Sequence, residues 1–305
     1  MSRDPTLTFA IPFYRNIEYL RRAIDSVRAQ SVDTWSVVVR DDAGPEPAAR
    51  DLVLGYGDER ITYVRNDENL GLGGNWNRCL DLAPTELVTL LHADDELLPE
   101  YAAVAAAAHQ EFPSAVAVYP RARIIDADGR NVFSAPDFAK RVLESRSRRV
   151  VLGGEPGLRT LMRGQTVFCP ALCYRKSRVG ASPFSTRWGM VLDLAFLAGV
   201  LLGGGQLVGL HEVAYAYRRH PESQSAELTR NTRRFREELL LFDEIATAAE
   251  ARGWKSAART ARAKRIVRLH LAYRATGDLL HGRGADAREK AGLAVRATSA
   301  DPTTG

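Results

Sequence analysis

Cysteine is scarce in this chain: Cys79, Cys169 and Cys173 are the three among 305 residues. So few at such spacings cannot build a disulfide framework, so the fold is expected to rest on an apolar core in a reducing compartment. Cys169 and Cys173 stand at a spacing zinc can use, but no second Cys/His pair accompanies them, which argues against a zinc site. A basic, apolar, small-residue leader is missing from the N-terminus, and the expected location is the cytoplasm. Long hydrophobic runs are lacking too. The longest apolar stretch, 192–210, is interrupted by Asp193 and by Gly203-Gly204-Gly205, which makes it a poor membrane span. The common phosphate signatures are also missing. Gly71-Leu72-Gly73-Gly74 lacks the G-x-G-x-x-G spacing, and no Gly-Lys-Ser/Thr occurs, so neither a Rossmann dehydrogenase nor a P-loop enzyme is indicated.

What is present suits a soluble globular protein: 45% apolar and 26% charged residues, in a chain long enough for one large core or a domain with a helical appendage. The net charge of +5 is unevenly placed. Residues 254–290 carry ten Lys/Arg against three Asp/Glu, a balance of +7 that leaves −2 for the rest. Basicity confined to one segment argues against reading the protein as a nucleic-acid binder.

Apolar runs alternate with helical periods along the first 110 residues. Leu7–Ile11 reads as a strand stopped by Pro12. Asn16 caps a helix with Leu20, Ile24 and Val27 on one face, and Trp35–Arg40 is a second buried strand that ends in Asp41-Asp42. Ala43-Gly44-Pro45 turns into a helix over 46–55, and 61–64 is a third strand. A polar, glycine-rich loop over 65–75 leads to a helix around Trp76–Leu82, and Leu87–Leu91 is a fourth strand. This alternation predicts an α/β fold with a mostly parallel, doubly wound sheet flanked by helices.

Beyond it, the pattern gives a helix over 99–110, a strand over 115–119 and a hairpin over 121–133. Asp126-Ala127-Asp128 spells a D-x-D, but with Gly129 it is read as the hairpin turn and not as a metal motif. A loop with a short helix, suited to a lid or acceptor site, is expected over 134–165, then a strand over 167–174, an apolar helix over 193–202 and a last strand over 207–217. Amphipathic helices follow over 228–251 and 254–280, and 296–305 is expected to be a disordered tail. The expected organisation is thus a domain over 1–225, a basic C-terminal helical region over 226–295, and the tail.

The fourth strand runs straight into His92-Ala93-Asp94-Asp95-Glu96. Two carboxylates at the end of a buried strand need a cation or a hydrogen-bond network to offset them. A divalent metal carrying phosphate oxygens does so, at the strand edge where open α/β sheets bind ligands. Capping of the following helix is the alternative.

Four strings now stand together: Pro12-Phe13-Tyr14 after the first strand, Asp41-Asp42 after the second, Asn69-Leu70-Gly71 with Asn75-Trp76-Asn77-Arg78, and His92 to Pro99 after the fourth. Asp193 and Tyr217-Arg218-x-His220 complete the order. Over about residues 6–225 the chain resembles the family 2 inverting glycosyltransferases of the GT-A fold. The resemblance implies transfer of a sugar from a nucleoside diphosphate sugar, UDP- or dTDP-linked, to an acceptor hydroxyl, with Mn²⁺ or Mg²⁺ as cofactor. It implies that Pro12, Phe13 and Tyr14 pack on base and ribose and that Asp41 or Asp42 accepts hydrogen bonds from the nucleoside. Arg65 and Asn69 close over the base. Asp95 is then the main metal ligand, Asp94 faces the ribose or a metal-bound water, and His220 completes the metal or pyrophosphate site. The family's commoner Asp-x-Asp is here His-Ala-Asp-Asp, which leaves the split between the two carboxylates open. Asp193 matches the catalytic base, kept ionised by a helix N-terminus; a plain helix cap is its alternative. Trp188 and His92 fall on the acceptor side, whereas Trp76 suits buried packing.

Other classes fit less well. A sugar nucleotidyltransferase wants a glycine- and Arg/Lys-rich loop where Pro12–Asn16 stands, and an idle sugar-binding relative has no need of carboxylates at both the metal and base positions. In 254–280, Arg259, Arg262, Arg265 and Arg268 interleave with Ile266, Val267, Leu269 and Leu271. That pattern fits either an apolar face on the core or docking on an anionic membrane surface, such as the inner face of the cell membrane.

Overall fold

Leu7, Phe9, Ile11 and Phe13 turn to one side of the first strand, β1 (Leu7–Phe13), and Ala10 turns to the other. That alternation seats β1 between two helical layers. With β2 (Trp35–Asp41), β3 (Ile61–Arg65) and β4 (Leu87–Leu90) it forms a parallel array in the order β3-β2-β1-β4. Helices α1 (Ile17–Arg28), α2 (Ala48–Leu54) and α3 (Gly71–Leu82) make the crossovers. The computed structural model describes residues 4–132, 149–164, 167–181, 183–220 and 232–296. Half of the expected lid loop, residues 134–148 and 165, and nearly all of the expected tail lie outside them.

β1 runs through Pro12 instead of stopping there. Pairing with β4 ends at Ala10↔Leu90, so the N–H that Pro12 lacks falls where no strand runs beside it. The glycine-rich loop is shorter than expected, because α3 begins at Gly71, whose φ of +71° turns the chain into the helix at little cost.

After α4 (Tyr101–Glu111) the sheet becomes mixed. β8 (Cys173–Arg175) pairs antiparallel with both β4 and β6 (Ala115–Ile125). β9 (Gln206–Arg218) runs parallel to β6 and antiparallel to β5 (Glu96–Leu97) and β7 (Arg149–Gly153). The strand expected over 167–174 is partly a 3₁₀ turn, Cys169–Ala171. At 126–129 the turn is as expected: the Asp126 carboxylate accepts from the N–H groups of Asp128 and Arg130, and Gly129 has φ +89°. The pairing that follows is reduced to one bridge, Ile125↔Asn131.

Helices α1, α2 and α4 cover one sheet face. On the other lie α3, α5 (Gly154–Gly164) and α7 (Leu192–Leu202), while α6 (Lys176–Val179) is a single turn after β8. The C-terminal helices α8 (Arg233–Ala251), α9 (Lys255–Ala263), α10 (Arg265–Leu280) and α11 (Gly284–Arg296) extend that second layer. Phe235, Phe242, Ala261 and Leu271 share one apolar cluster with Val88, Tyr174 and Leu197, so these helices complete the core. The single helix expected over 254–280 is broken at Lys264, which has φ +46° and buries its ammonium on Asp243 at 2.6 Å.

Candidate active site

The parallel strands bring their carboxyl ends to one edge, where backbone bonds tie them together. The N–H of Asp42 donates to Phe13 (2.8 Å), that of Asn66 to Asp41 (2.8 Å) and that of Leu91 to Ala10 (3.0 Å). Gly44 is required here, since a Cβ would stand 1.9 Å from the Tyr14 carbonyl oxygen. Asp41 and Asp42 are both buried at this edge and both held. Asp41 accepts from the Gly44 N–H (2.7 Å), from Arg65 (2.6 Å) and from the Tyr63 hydroxyl. Burial, and then the bond to Asp41, raise the Tyr63 hydroxyl pKa. Asp42 accepts from the Asn66 amide (2.7 Å) and the Leu70 N–H (2.8 Å). Arg65 also donates to the Gly44 carbonyl (3.0 Å), and the Asn69 side chain accepts from the Gly71 N–H (2.9 Å). Tyr14 is exposed beside these loops and Pro12 is half-buried, but the Phe13 ring faces the core. The expected packing of Phe13 on a base is therefore corrected: strand alternation turns it inward.

Next to this group is the acidic turn after β4. His92, Asp94 and Asp95 each offer one ligand atom, all within 4.8 Å of one another. Their surroundings differ. Asp95, expected as the main metal ligand, is fully buried, and both its oxygens already accept from protein donors: Oδ1 from the Arg218 N–H and Oδ2 from the Tyr215 hydroxyl, at 2.8 Å each. Burial, and then the charge of Asp94, push its carboxyl pKa well up. Asp94 keeps 34% of its side chain exposed and accepts from His220 Nε2 at 3.1 Å. Burial raises its pKa, but the His220 bond and the charges of both histidines outweigh that and leave it lowered. Two adjacent carboxylates beside an imidazole, one of them disfavoured as an anion, suit a divalent cation.

Arg218 braces this turn, and its role was not read from the sequence. The guanidinium, fully buried, donates to the carbonyls of Asp94 (2.8 Å), Asp126 (2.8 Å) and Ala127 (2.9 Å) and pairs with Glu96. The D-x-D-like turn at 126–128 thus serves the acidic turn through its backbone. His220 packs edge-on against Tyr19.

Asp193 is half-buried in the first turn of α7, whose cap is Val191, so it is not the cap. One of its oxygens accepts from the Leu194 N–H at 2.7 Å. Burial first, and to a lesser degree the negative charge of Asp193, raise the pKa values of Cys169, Tyr174 and Glu238. From α8, Glu237 accepts from the N–H groups of Gly189 (3.0 Å) and Met190 (2.8 Å), fixing the approach to Asp193. From α3, Trp76 packs on both His92 and Phe184, with ring centroids 5.1 and 5.0 Å apart, and so links the acidic turn to the 184–193 segment. The buried role expected for Trp76 holds. Trp188 also belongs to the core, 8% exposed with Arg187 stacked 4.4 Å from its ring, so the expected sugar-stacking face is not on offer.

Residues 8–165 match the family profile described as glycosyl transferase family 2. The chain belongs to this family. It is 40% identical over 100 residues to the succinoglycan biosynthesis protein ExoW of Rhizobium meliloti, 31% of each chain. It is 25% identical over 194 residues to the uncharacterised glycosyltransferase RT0329 of Rickettsia typhi, 63% of this chain and 58% of that one. In each case the match spans less than two thirds of the relative's length. The crystal structure of Staphylococcus aureus TarS 1–349 in complex with UDP-GlcNAc superposes with a TM-score of 0.60 at 18% identity, over 80% of this chain and 66% of that one. That likeness establishes the GT-A fold. No helix among the described residues is long and apolar enough to cross a membrane.

Proposed function

We propose that this protein is a metal-dependent, inverting glycosyltransferase that moves a sugar from a nucleoside diphosphate sugar to an acceptor hydroxyl. The observation that carries the reading is the convergence of the His92-Asp94-Asp95 group with the Asp41/Asp42 loops at one sheet edge. Family 2 membership supports the activity, and the UDP-GlcNAc held by TarS supports a UDP-sugar donor.

In this reading the nucleoside lies over the loops after β1, β2 and β3. Tyr14 and Arg65 offer exposed surface there, and the buried Asp41 and Asp42 order the loops that carry them. Asp94 would be the direct ligand of Mn²⁺ or Mg²⁺, with His92 and Asp95 beside it. His220 orients the Asp94 carboxylate, and Tyr215 with Arg218 holds Asp95. When bound, the cation supplies positive charge to the departing diphosphate. Asp193 takes the proton of the acceptor hydroxyl as that oxygen bonds to the anomeric carbon and the carbon–phosphate oxygen bond breaks on the opposite face. Glu237 keeps the 188–190 turn, and hence Asp193, in register.

The test is release of UDP from a panel of UDP-sugars with Mn²⁺, together with NMR assignment of the anomeric configuration of the product. UDP release with an inverted anomer is expected. No turnover of any UDP- or dTDP-sugar, or a retained configuration, would overturn the proposal.

A further inference from the structure

Helix α10 is apolar on two opposite sides. Val267, Leu271 and Ala275 turn into the core. Leu269, Tyr273 and Leu280 recur at helical spacing on the other side, 67%, 72% and 81% exposed, whereas Ile266 is turned toward Gly164 of α5. Leu279 stands exposed at the same end. The stripe follows most of a 16-residue helix, about 24 Å long at 1.5 Å per residue. Scattered exposed leucines are ordinary; an apolar row in register along one unpartnered face marks a contact surface.

The charge beside the stripe selects what covers it. Arg265 and Arg268 flank it on one side and Arg274 on the other, and Lys255 and Arg259 stand on the preceding α9. None of these five forms an ion pair among the described residues, whereas Arg262, Lys264, Arg283 and Lys290 are neutralised by Glu250, Asp243 and Asp278. Of the three acids in 254–290, Asp278 is buried between two cations and Glu289 pairs with Arg236. A second copy of the chain would bring the same unpaired cations against this face. An anionic surface would be attracted to it and would take up the apolar row.

We propose that α10 docks in the headgroup plane of an anionic lipid bilayer, with Leu269, Tyr273 and Leu280 inserted and the flanking arginines on lipid phosphates. The surface lies outside the proposed donor site, so the docking stands or falls apart from the reaction. The test is flotation of the full chain with vesicles of phosphatidylcholine alone or mixed with phosphatidylglycerol. Binding is expected only to the anionic vesicles, weakening as salt is raised. The double variant Leu269→Glu, Tyr273→Glu should keep the wild-type melting temperature and lose partitioning on the order of a hundred-fold. Absence of binding to the anionic vesicles would overturn the proposal, as would equal binding by the double variant. A dimer in analytical ultracentrifugation that the double variant abolishes, without vesicle binding, would assign the face to a second copy instead.

Discussion

Arg218 donates through its side chain to the Asp94 carbonyl and through its backbone N–H to the Asp95 carboxylate, both at 2.8 Å. One buried residue of the last strand thus fixes both halves of the acidic turn. A lysine would keep the charge but lose the planar fork that reaches Asp94, Asp126, Ala127 and Glu96 together. Arg218→Lys is expected to lower unfolding stability by about 3 kcal/mol or more, measured by urea denaturation, because polar groups are left buried and unpaired. Full stability in that variant would remove the bracing role.

Asp193→Asn retains the shape of the side chain and removes the base. Turnover should fall by roughly 10² to 10⁴, while UDP affinity in the presence of Mn²⁺ stays at the wild-type value by calorimetry. Retained turnover would assign Asp193 to packing.

Glu237 reaches the site from α8 by accepting two N–H groups, those of Gly189 and Met190. Glu237→Ala leaves both donors without that partner, at a cost of about 1–3 kcal/mol. The expected signature is a fall in kcat with KM for the donor unchanged, since the loops after β1 to β3 are untouched. A KM effect alone would place the helix on the donor side instead.

His109 provides a pH test remote from the chemistry. Its Nε2–H donates to the Cys173 carbonyl at 3.0 Å in a fully buried setting, and burial, the largest cause, lowers its pKa to about 4. The unfolded chain takes up this proton near pH 6.5 and the folded chain only near 4. Between those values the unfolded state binds more protons, so stability falls as pH drops through the window and His109 contributes nothing further below it. The loss is about 3 kcal/mol at 1.36 kcal/mol per unit. Urea unfolding at pH 7 and pH 4.5 should show a smaller difference for His109→Gln than for the wild type.

The parallel half of the fold was legible because its signals are local. Leu7 to Ile11, the Asn16 cap and the Val37-Val38-Val39 run announce themselves within a few residues, as does the turn at Asp126–Gly129. The mixed half was less so. β5 and β8 are two and three residues long and exist through their neighbours, not through any period of their own. The acidic residues of the site were found by composition, but their orientations were not. Tyr215 and Arg218, which turn Asp95 inward, lie 120 and 123 residues away from it. Phe13 and Trp188 were placed toward ligand because aromatic residues serve both surface and core, and only packing tells the two apart.

In the proposed reaction Asp94 carries a cation on which nucleotide binding depends. Thermal unfolding of the wild type and of Asp94→Asn, each with UDP, with Mn²⁺ and with both together, tests this dependence most directly. UDP and Mn²⁺ together are expected to raise the wild-type Tm well beyond the sum of their separate effects, and Asp94→Asn to abolish this coupling. Equal stabilisation by UDP with and without Mn²⁺, or undiminished coupling in the variant, would contradict it.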